Sequence, residues 1–321
     1  MKIASFNVQR FGLTKLSDPD VLSALVKIVS RYDIIVILEV VDVSGDSVKL
    51  FLKELNSVNT GHHYALQLSA RLGRNRYKEQ FLFLYRDDVV DLVDCYQYED
   101  NRENSMDAFA REPYILHFKP RNTVLKDIVL IPVHTTPWGT EKELDELYEV
   151  FLVVKDKWKT DHIMILGDFR ADGAYVTREE MKHIRIRSDK NFHWLISDDM
   201  DTTAKPSNEH TYDRIVVYGD DMLAAIVPSS AKPFNFHKEF GMTEEMALRV
   251  SDHYPVEVEL CSTPPFWMTE SEEICDSPLA SVNNASDVLT LQKENLLLEQ
   301  EKLQLQISLL KHRVAALHPE K

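Results

Sequence analysis

"HIMILGDFRADG", residues 162–173, carries the reading of this chain. Ile163, Met164, Ile165 and Leu166 form an unbroken apolar run, the pattern of a buried strand. The run delivers two carboxylates, Asp168 and Asp172, to the strand end. A carboxylate there suits a metal or phosphate site. Arg170, between the two acids, suits a phosphate and repels a metal.

Working outward, similar apolar, β-branched runs stand at "KIASFNV", "DIIVILEV", "FLFLYR", "DIVLIPVHTT", "DRIVVYG" and "YPVEVEL". Helical patterns lie between them. Over residues 18–32, Val21, Leu22, Leu25, Ile28 and Val29 share one face, and Ser17 with Asp20 reads as the capping pair. Residues 141–158 form a second amphipathic helix. The alternation predicts an α/β fold in which helices cover sheets.

Several runs carry a polar group that packing alone does not call for: Asn7, Glu39, His134, Asp168 and Asp213, with Asp252 and His253 in "VSDHYPVEV". Any one of them alone reads as a satisfied structural group. Repeated on strand after strand they point to a shared site, because buried acids are costly unless they pair or bind metal. Two histidines and several carboxylates, without a Ser or Cys nucleophile motif, suggest metal-assisted hydrolysis with His as acid and base. Oxygen ligands favour Mg²⁺, Ca²⁺ or Mn²⁺ over zinc.

The 321 residues carry a net charge of -15. Such a chain exerts no long-range pull on nucleic acid, so a phosphate ligand needs local Arg, Lys or bound cations. Cys95, Cys261 and Cys275 form neither a disulfide framework nor a CxxC pair. No apolar run is long enough to span a membrane. Met1-Lys2 leads straight into a strand, without a signal peptide, which sets the expectation of an intracellular protein.

The character changes after Leu260. Residues 261–287, with Pro264, Pro265, Pro278 and "ESEE", have linker composition. In residues 288–317, Leu289, Leu296, Leu303, Leu310 and Leu317 recur every seven positions. That repeat predicts a coiled coil and self-association, with strand number open because a second register competes. A helix packing back on the globular part is the other reading. No basic region precedes the heptads, which argues against a zipper-type DNA reader.

Taken in order, "KIASFNVQRFG", "RYDIIVILEV", "LGRNRYKEQFLFLYR", "REP", "VHTTP", "LGDF", "YDRIVV" and "SDHYPVEVEL" resemble the deoxyribonuclease I family, from Lys2 to about Leu260. The resemblance implies a four-layer sandwich, two packed β-sheets flanked by helices, over residues 1–260. It implies cleavage of DNA to 5′-phosphate ends with Mg²⁺ or Mn²⁺, and with Ca²⁺ as a further candidate ion. Glu39 is then the main metal ligand and Asp252 a second acid at the metal. Asn7 and Asp168 lie around metal and phosphate. His134 pairs with Glu79 and His253 with Asp213. Arg111 contacts phosphate, Asn75 and Tyr77 the DNA minor groove, and Arg170 and Tyr175 the substrate. Some relatives bind actin, but the contact positions match too loosely here to carry that partner over.

The chain departs from the family pattern at informative places. The motif Gly-Asp-Phe-Asn has Arg170 in place of Asn, and the arginine after the metal glutamate becomes Val41. Gly173 and His210 stand where secreted members have a structural disulfide. Arg170 either turns to the phosphate or to Asp168 or Asp172 and leaves a working site, or blocks the metal. Two expectations follow: an endonuclease of reduced or altered activity, or a catalytically impaired scaffold that oligomerises through its heptads.

Overall fold

The computed structural model describes residues 1–99, 108–205, 207 and 209–263. The heptads and nearly all of the expected linker fall outside the described residues. The strands are β1 (Lys2–Phe11), β2 (Ile34–Val40), β3 (Tyr64–Leu68), β4 (Gln80–Arg86), β5 (Val90–Gln97), β6 (Tyr114–Pro120), β7 (Ile128–His134), β8 (Ile163–Asp168), β9 (Phe192–Trp194), β10 (Asp213–Tyr218), β11 (Lys232–Pro233) and β12 (Val256–Glu259). The helices are α1 (Leu13–Leu16), α2 (Pro19–Val29), α3 (Asp46–Val58), α4 (Thr140–Trp158), α5 (Arg178–His183), α6 (Arg185–Ser188), α7 (Asp220–Ala224), α8 (Phe236–Glu239) and α9 (Glu244–Val250).

Two six-stranded sheets form, ordered β11-β12-β1-β2-β4-β3 and β5-β6-β7-β8-β10-β9. Strand parity builds the layers. Ile34, Val36 and Leu38 of β2 face Leu116, Leu130, Met164 and Leu166 in the core between the sheets. Ile35 and Ile37 point the other way, toward α2 and α3. Ile163 and Ile165 likewise face Leu144, Leu147 and Phe151 of α4. Three apolar cores separate four layers, as the expected sandwich requires.

Each sheet has one parallel pair near its centre, β1 with β2 and β7 with β8. Parallel neighbours end at the same edge, so Asn7 and Glu39 on one sheet lie near the same edge as His134 and Asp168 on the other. Gly167 makes the close approach possible. Its φ is +147°, and a Cβ there would lie 2.0 Å from the Val133 carbonyl oxygen.

Some local expectations need correction. Asp18 caps α2, accepting from the backbone of Asp20 and Val21 at 3.1 and 3.4 Å. Ser17 instead closes α1, since Pro19 opens α2 and leaves Asp18 as the residue before it. Asp252 and His253 sit in the turn between α9 and β12, not on a strand. Pro255 follows them, and without an N–H it cannot extend the ladder. Pairing continues past Leu260, with a bridge from Ser262 to Thr123.

Candidate active site

Strand geometry presents the acids at a local cost in strain. Gln9, Arg10 and Glu39 have φ of 54°, 62° and 60°, in the left-handed region. L-residues there cost on the order of 1–2 kcal/mol each. The pairing of β1 with β2 slips between Asn7 and Phe11, and that of β2 with β4 between Ile37 and Val40. These bulges turn Glu39 into the site. Its two oxygens accept from Asn7 Nδ2 and the Arg10 backbone, each at 3.1 Å. Asn7 Nδ2 also donates to Asp168 Oδ2 at 3.1 Å and so ties the two sheets together.

Two imidazole–carboxylate pairs flank these acids. His134 Nδ1 lies 2.7 Å from Glu79 Oε2, and His253 Nδ1 lies 2.7 Å from Asp213 Oδ2. The second pair follows from register, because β10 pairs Asp213 directly with Asp168 of β8. A carboxylate at Nδ1 fixes the ring orientation and leaves Nε2 facing the site. His134 Nε2 is 3.6 Å from Asp168 Oδ2, and His253 Nε2 is 3.9 Å from the same oxygen. Both are too long for hydrogen bonds. Among the described residues His134 Nε2 and Asp252 Oδ1 are buried polar atoms without a partner. A polar or charged guest in the site would satisfy both.

The charges are strongly coupled. Burial would raise the Asp168 carboxyl, but Arg170, His253, His134 and the Asn7 amide outweigh it and hold it well below the usual range. Burial would depress His253, but Asp213 and Asp168 overcome this and push it up to about 10. Burial raises Asp213, with its imidazolium partner opposing. Burial also works against the Glu79 carboxylate, yet His134 and Arg111 bring its pKa below the ordinary value.

Arg111 acts as a brace: it lies 3.3 Å from Glu79 and donates to the carbonyls of His134 and Thr135 at 3.2 and 3.0 Å. Tyr77 is half-exposed and lies near Glu79; burial and that carboxylate's charge raise its hydroxyl pKa. Asn75 is exposed, and its side chain accepts from the Tyr77 backbone at 2.9 Å. Asp252 Oδ1 stands 4.0 Å from His253 Nε2. A groove of about 760 Å³ beside Glu39 is lined by Gln9, Arg10, Lys15, Val41, Asp42 and Arg249.

A profile of the Endonuclease/Exonuclease/phosphatase family matches residues 4–253, a span that holds Asn7, Glu39 and both imidazole pairs. The chain is 43% identical over 267 residues to human deoxyribonuclease gamma, covering 83% of this chain and 88% of the relative. It is 44% identical over 262 residues to bovine deoxyribonuclease-1, covering 81% and 92%. The chain belongs to the deoxyribonuclease I family. Among solved structures, D. rerio TDP2 in complex with a single-strand DNA product matches with TM-score 0.54 and 14% identity, covering 80% of this chain and 97% of that one. The human Nocturnin catalytic domain matches with TM-score 0.53 and 13% identity, covering 82% and 94%. At those identities the likeness is one of fold.

Against that family background Arg170 is the main departure. Its φ is 47°, a conformation that Asn enters more readily than Arg. Its guanidinium donates to the Thr135 carbonyl, lies 3.8 Å from Asp168 Oδ2 and stands 5.7 Å from the Tyr175 ring centroid. Tyr175 in turn meets Tyr212 edge-on at 5.4 Å. Asp172 is unavailable to Arg170: it accepts from the Thr211 backbone at 3.0 Å and lies 3.2 Å from His210. Of the two acids in the opening stretch, Asp168 is therefore the one in the site. Gly173 and His210 are neighbours, since a Cβ on Gly173 would meet the His210 ring at 3.0 Å.

Two residues of the site carried no readable signal in sequence. Ser251 donates to the Asn7 carbonyl at 2.6 Å and accepts from the His253 backbone at 3.0 Å. Lys15 reaches the carbonyls of Val8 and Val250. A serine or lysine with a backbone partner far along the chain leaves no local pattern.

Proposed function

We propose that this chain is a divalent-metal-dependent endonuclease that hydrolyses DNA phosphodiester bonds and leaves 5′-phosphate ends. The observation that carries the reading is the pair of imidazoles, each backed by a buried carboxylate, whose Nε2 atoms both face Asp168. One ring takes a proton from the attacking water and the other gives one to the departing 3′ oxygen. Glu79 and Asp213 hold the rings and stabilise whichever is charged. Arg111 keeps Glu79 in place.

Glu39 and Asp168, bridged by the Asn7 amide nitrogen, and Asp252 beside His253 carry the hard carboxylate oxygens that suit Mg²⁺ or Mn²⁺, and Ca²⁺ is a further candidate. The unpartnered Asp252 Oδ1 fits such an ion. When bound, the ion neutralises charge on the phosphate. Asn75, Tyr77 and Tyr175 contact the flanking DNA, and Arg170, 3.8 Å from Asp168, stands against the metal side of the substrate site. The domain runs past Leu260 to the Thr123–Ser262 bridge, and the heptads of residues 288–317, outside the described residues, are proposed as the segment of self-association. Gly173 and His210 in place of a disulfide, with Cys95 and Cys261 free, support an intracellular site of action. No helix among the described residues is long and apolar enough to cross a membrane.

The 3.8 Å approach of Arg170 to Asp168 favours a second reading, an impaired nuclease whose role is binding through its heptads. Plasmid nicking with Mg²⁺ and Ca²⁺, or with Mn²⁺, separates the two. Nicking abolished by EDTA supports the enzyme, and intact plasmid under every metal supports the scaffold.

A further inference from the structure

Lys15 is placed unlike a surface lysine. It belongs to α1, the single turn that follows β1, and its side chain runs back under the site. Its Nζ donates to the Val8 carbonyl at 2.6 Å and to the Val250 carbonyl at 2.7 Å. Val8 follows Asn7 and opens the strained Gln9–Arg10 bulge. Val250 ends α9, two residues before Asp252 and three before His253. One ammonium thus joins the segment that presents Asn7 to the turn that presents an acid and an imidazole. Ser251 makes a parallel link to the Asn7 carbonyl, so two polar ties close the same gap.

The charge has its own function. Burial depresses the Lys15 pKa to about 8, against the attraction of Asp252 and Glu39, which favours the ammonium. Glu39 lies on β2 and Asp252 in the turn after α9, and their like charges repel. An ammonium that donates to two carbonyls from different segments fixes the distance between them. An ammonium with two carbonyl acceptors also resists rotation, and preorganisation of this kind is worth most where geometry must hold to fractions of an ångström.

We infer that Lys15 is a positioning residue of the hydrolytic reaction: its ammonium staples the Asn7 bulge to the Asp252–His253 turn. The inference rests on the nuclease reading. Misplacement of His253 and Asn7 acts on the chemical step and leaves DNA affinity alone, because the Lys15 ammonium is spent on two backbone carbonyls.

The test uses the full chain and three variants, Lys15→Met, Lys15→Gln and Lys15→Arg, with kcat and KM measured on supercoiled plasmid and melting followed in parallel. Lys15→Met should lower kcat at least about tenfold with KM within about twofold, and Lys15→Arg should recover most of the loss. If Lys15→Met does not fold, the comparison of Gln with Arg decides: both can reach a carbonyl, but only Arg keeps the charge, and Arg should be the faster by at least about fivefold. Parent-like kcat in Lys15→Met or Lys15→Gln overturns the inference. So does a raised KM at unchanged kcat, which would mark a phosphate contact, or an Arg variant no better than Gln. A parent protein that cuts no DNA under any metal overturns the nuclease reading, and this inference with it.

Discussion

Replacing Arg170 with Asn puts the electrostatics of the site to a direct test. Arg170 Nη2 lies 3.8 Å from Asp168 Oδ2. A metal–oxygen bond adds about 2 Å, so an ion on that oxygen stays within about 6 Å of the guanidinium. At an effective dielectric near 20, a double and a single charge about 6 Å apart repel by about 5 kcal/mol. Solvent in the cleft screens most of this, yet a residue of about 1.4 kcal/mol is already tenfold in affinity. The fold should tolerate the change. Asn takes up the φ of 47° more easily than Arg, which returns on the order of 1 kcal/mol. The Thr135 carbonyl keeps its bond from Arg111 at 3.0 Å, and Asp168 keeps Asn7 at 3.1 Å. Arg170→Asn should therefore bind Mg²⁺ at least about tenfold more tightly and reach half-maximal nicking at correspondingly lower metal. The assay is a Mg²⁺ titration of plasmid nicking on both proteins, paired with calorimetric binding of the ion without DNA. A lower rate at every metal concentration, with metal binding no tighter, would refute the reasoning and assign Arg170 to the phosphate.

His134→Ala and His253→Ala should each lower nicking by at least about a hundredfold, the usual weight of a general acid or base; parent-like rates in both would sink the catalytic assignment. A chain ending at residue 263 should sediment as a smaller species than the full chain at micromolar concentration, because the leucine seam is exposed in a lone helix; two monomers in that comparison remove the coiled coil. Asp42 accepts from the Ser47 backbone at 2.7 Å and from the Ser44 backbone at 2.9 Å; burial opposes its charge, but these bonds win and lower its pKa to about 2. Its contribution to stability is thus fully present above about pH 4, the ordinary aspartate value, and lost as pH falls toward 2. Asp42→Asn should melt lower at neutral pH by about 1 kcal/mol of stability, with the gap closing in acid, and a gap constant from pH 7 to 2 speaks against the assignment.

Most of the sheet framework and the identity of the acids can be read from local pattern. The apolar runs "DIIVILEV" and "HIMILGDF" form β2 and β8 because burial on both faces demands them, and alternate residues then divide between two cores. A polar group at the end of each run has little reason to be there except a shared site, which is why Asn7, Glu39, His134 and Asp168 stand out before any coordinates. The resemblance already set Asp168 in that site; tertiary structure shows why Asp172 stays out, since β10 register sets Asp213 opposite the first, while Thr211 and His210 take the second. It also decided the direction of Arg170, the role of Arg111 as a brace for Glu79, and the staple from Lys15 to Val8 and Val250. The physical reason is range. Period and propensity act over a few residues, whereas most of these contacts join segments remote in the chain, 235 positions apart for Lys15 and Val250, and form only when tertiary packing brings those segments together.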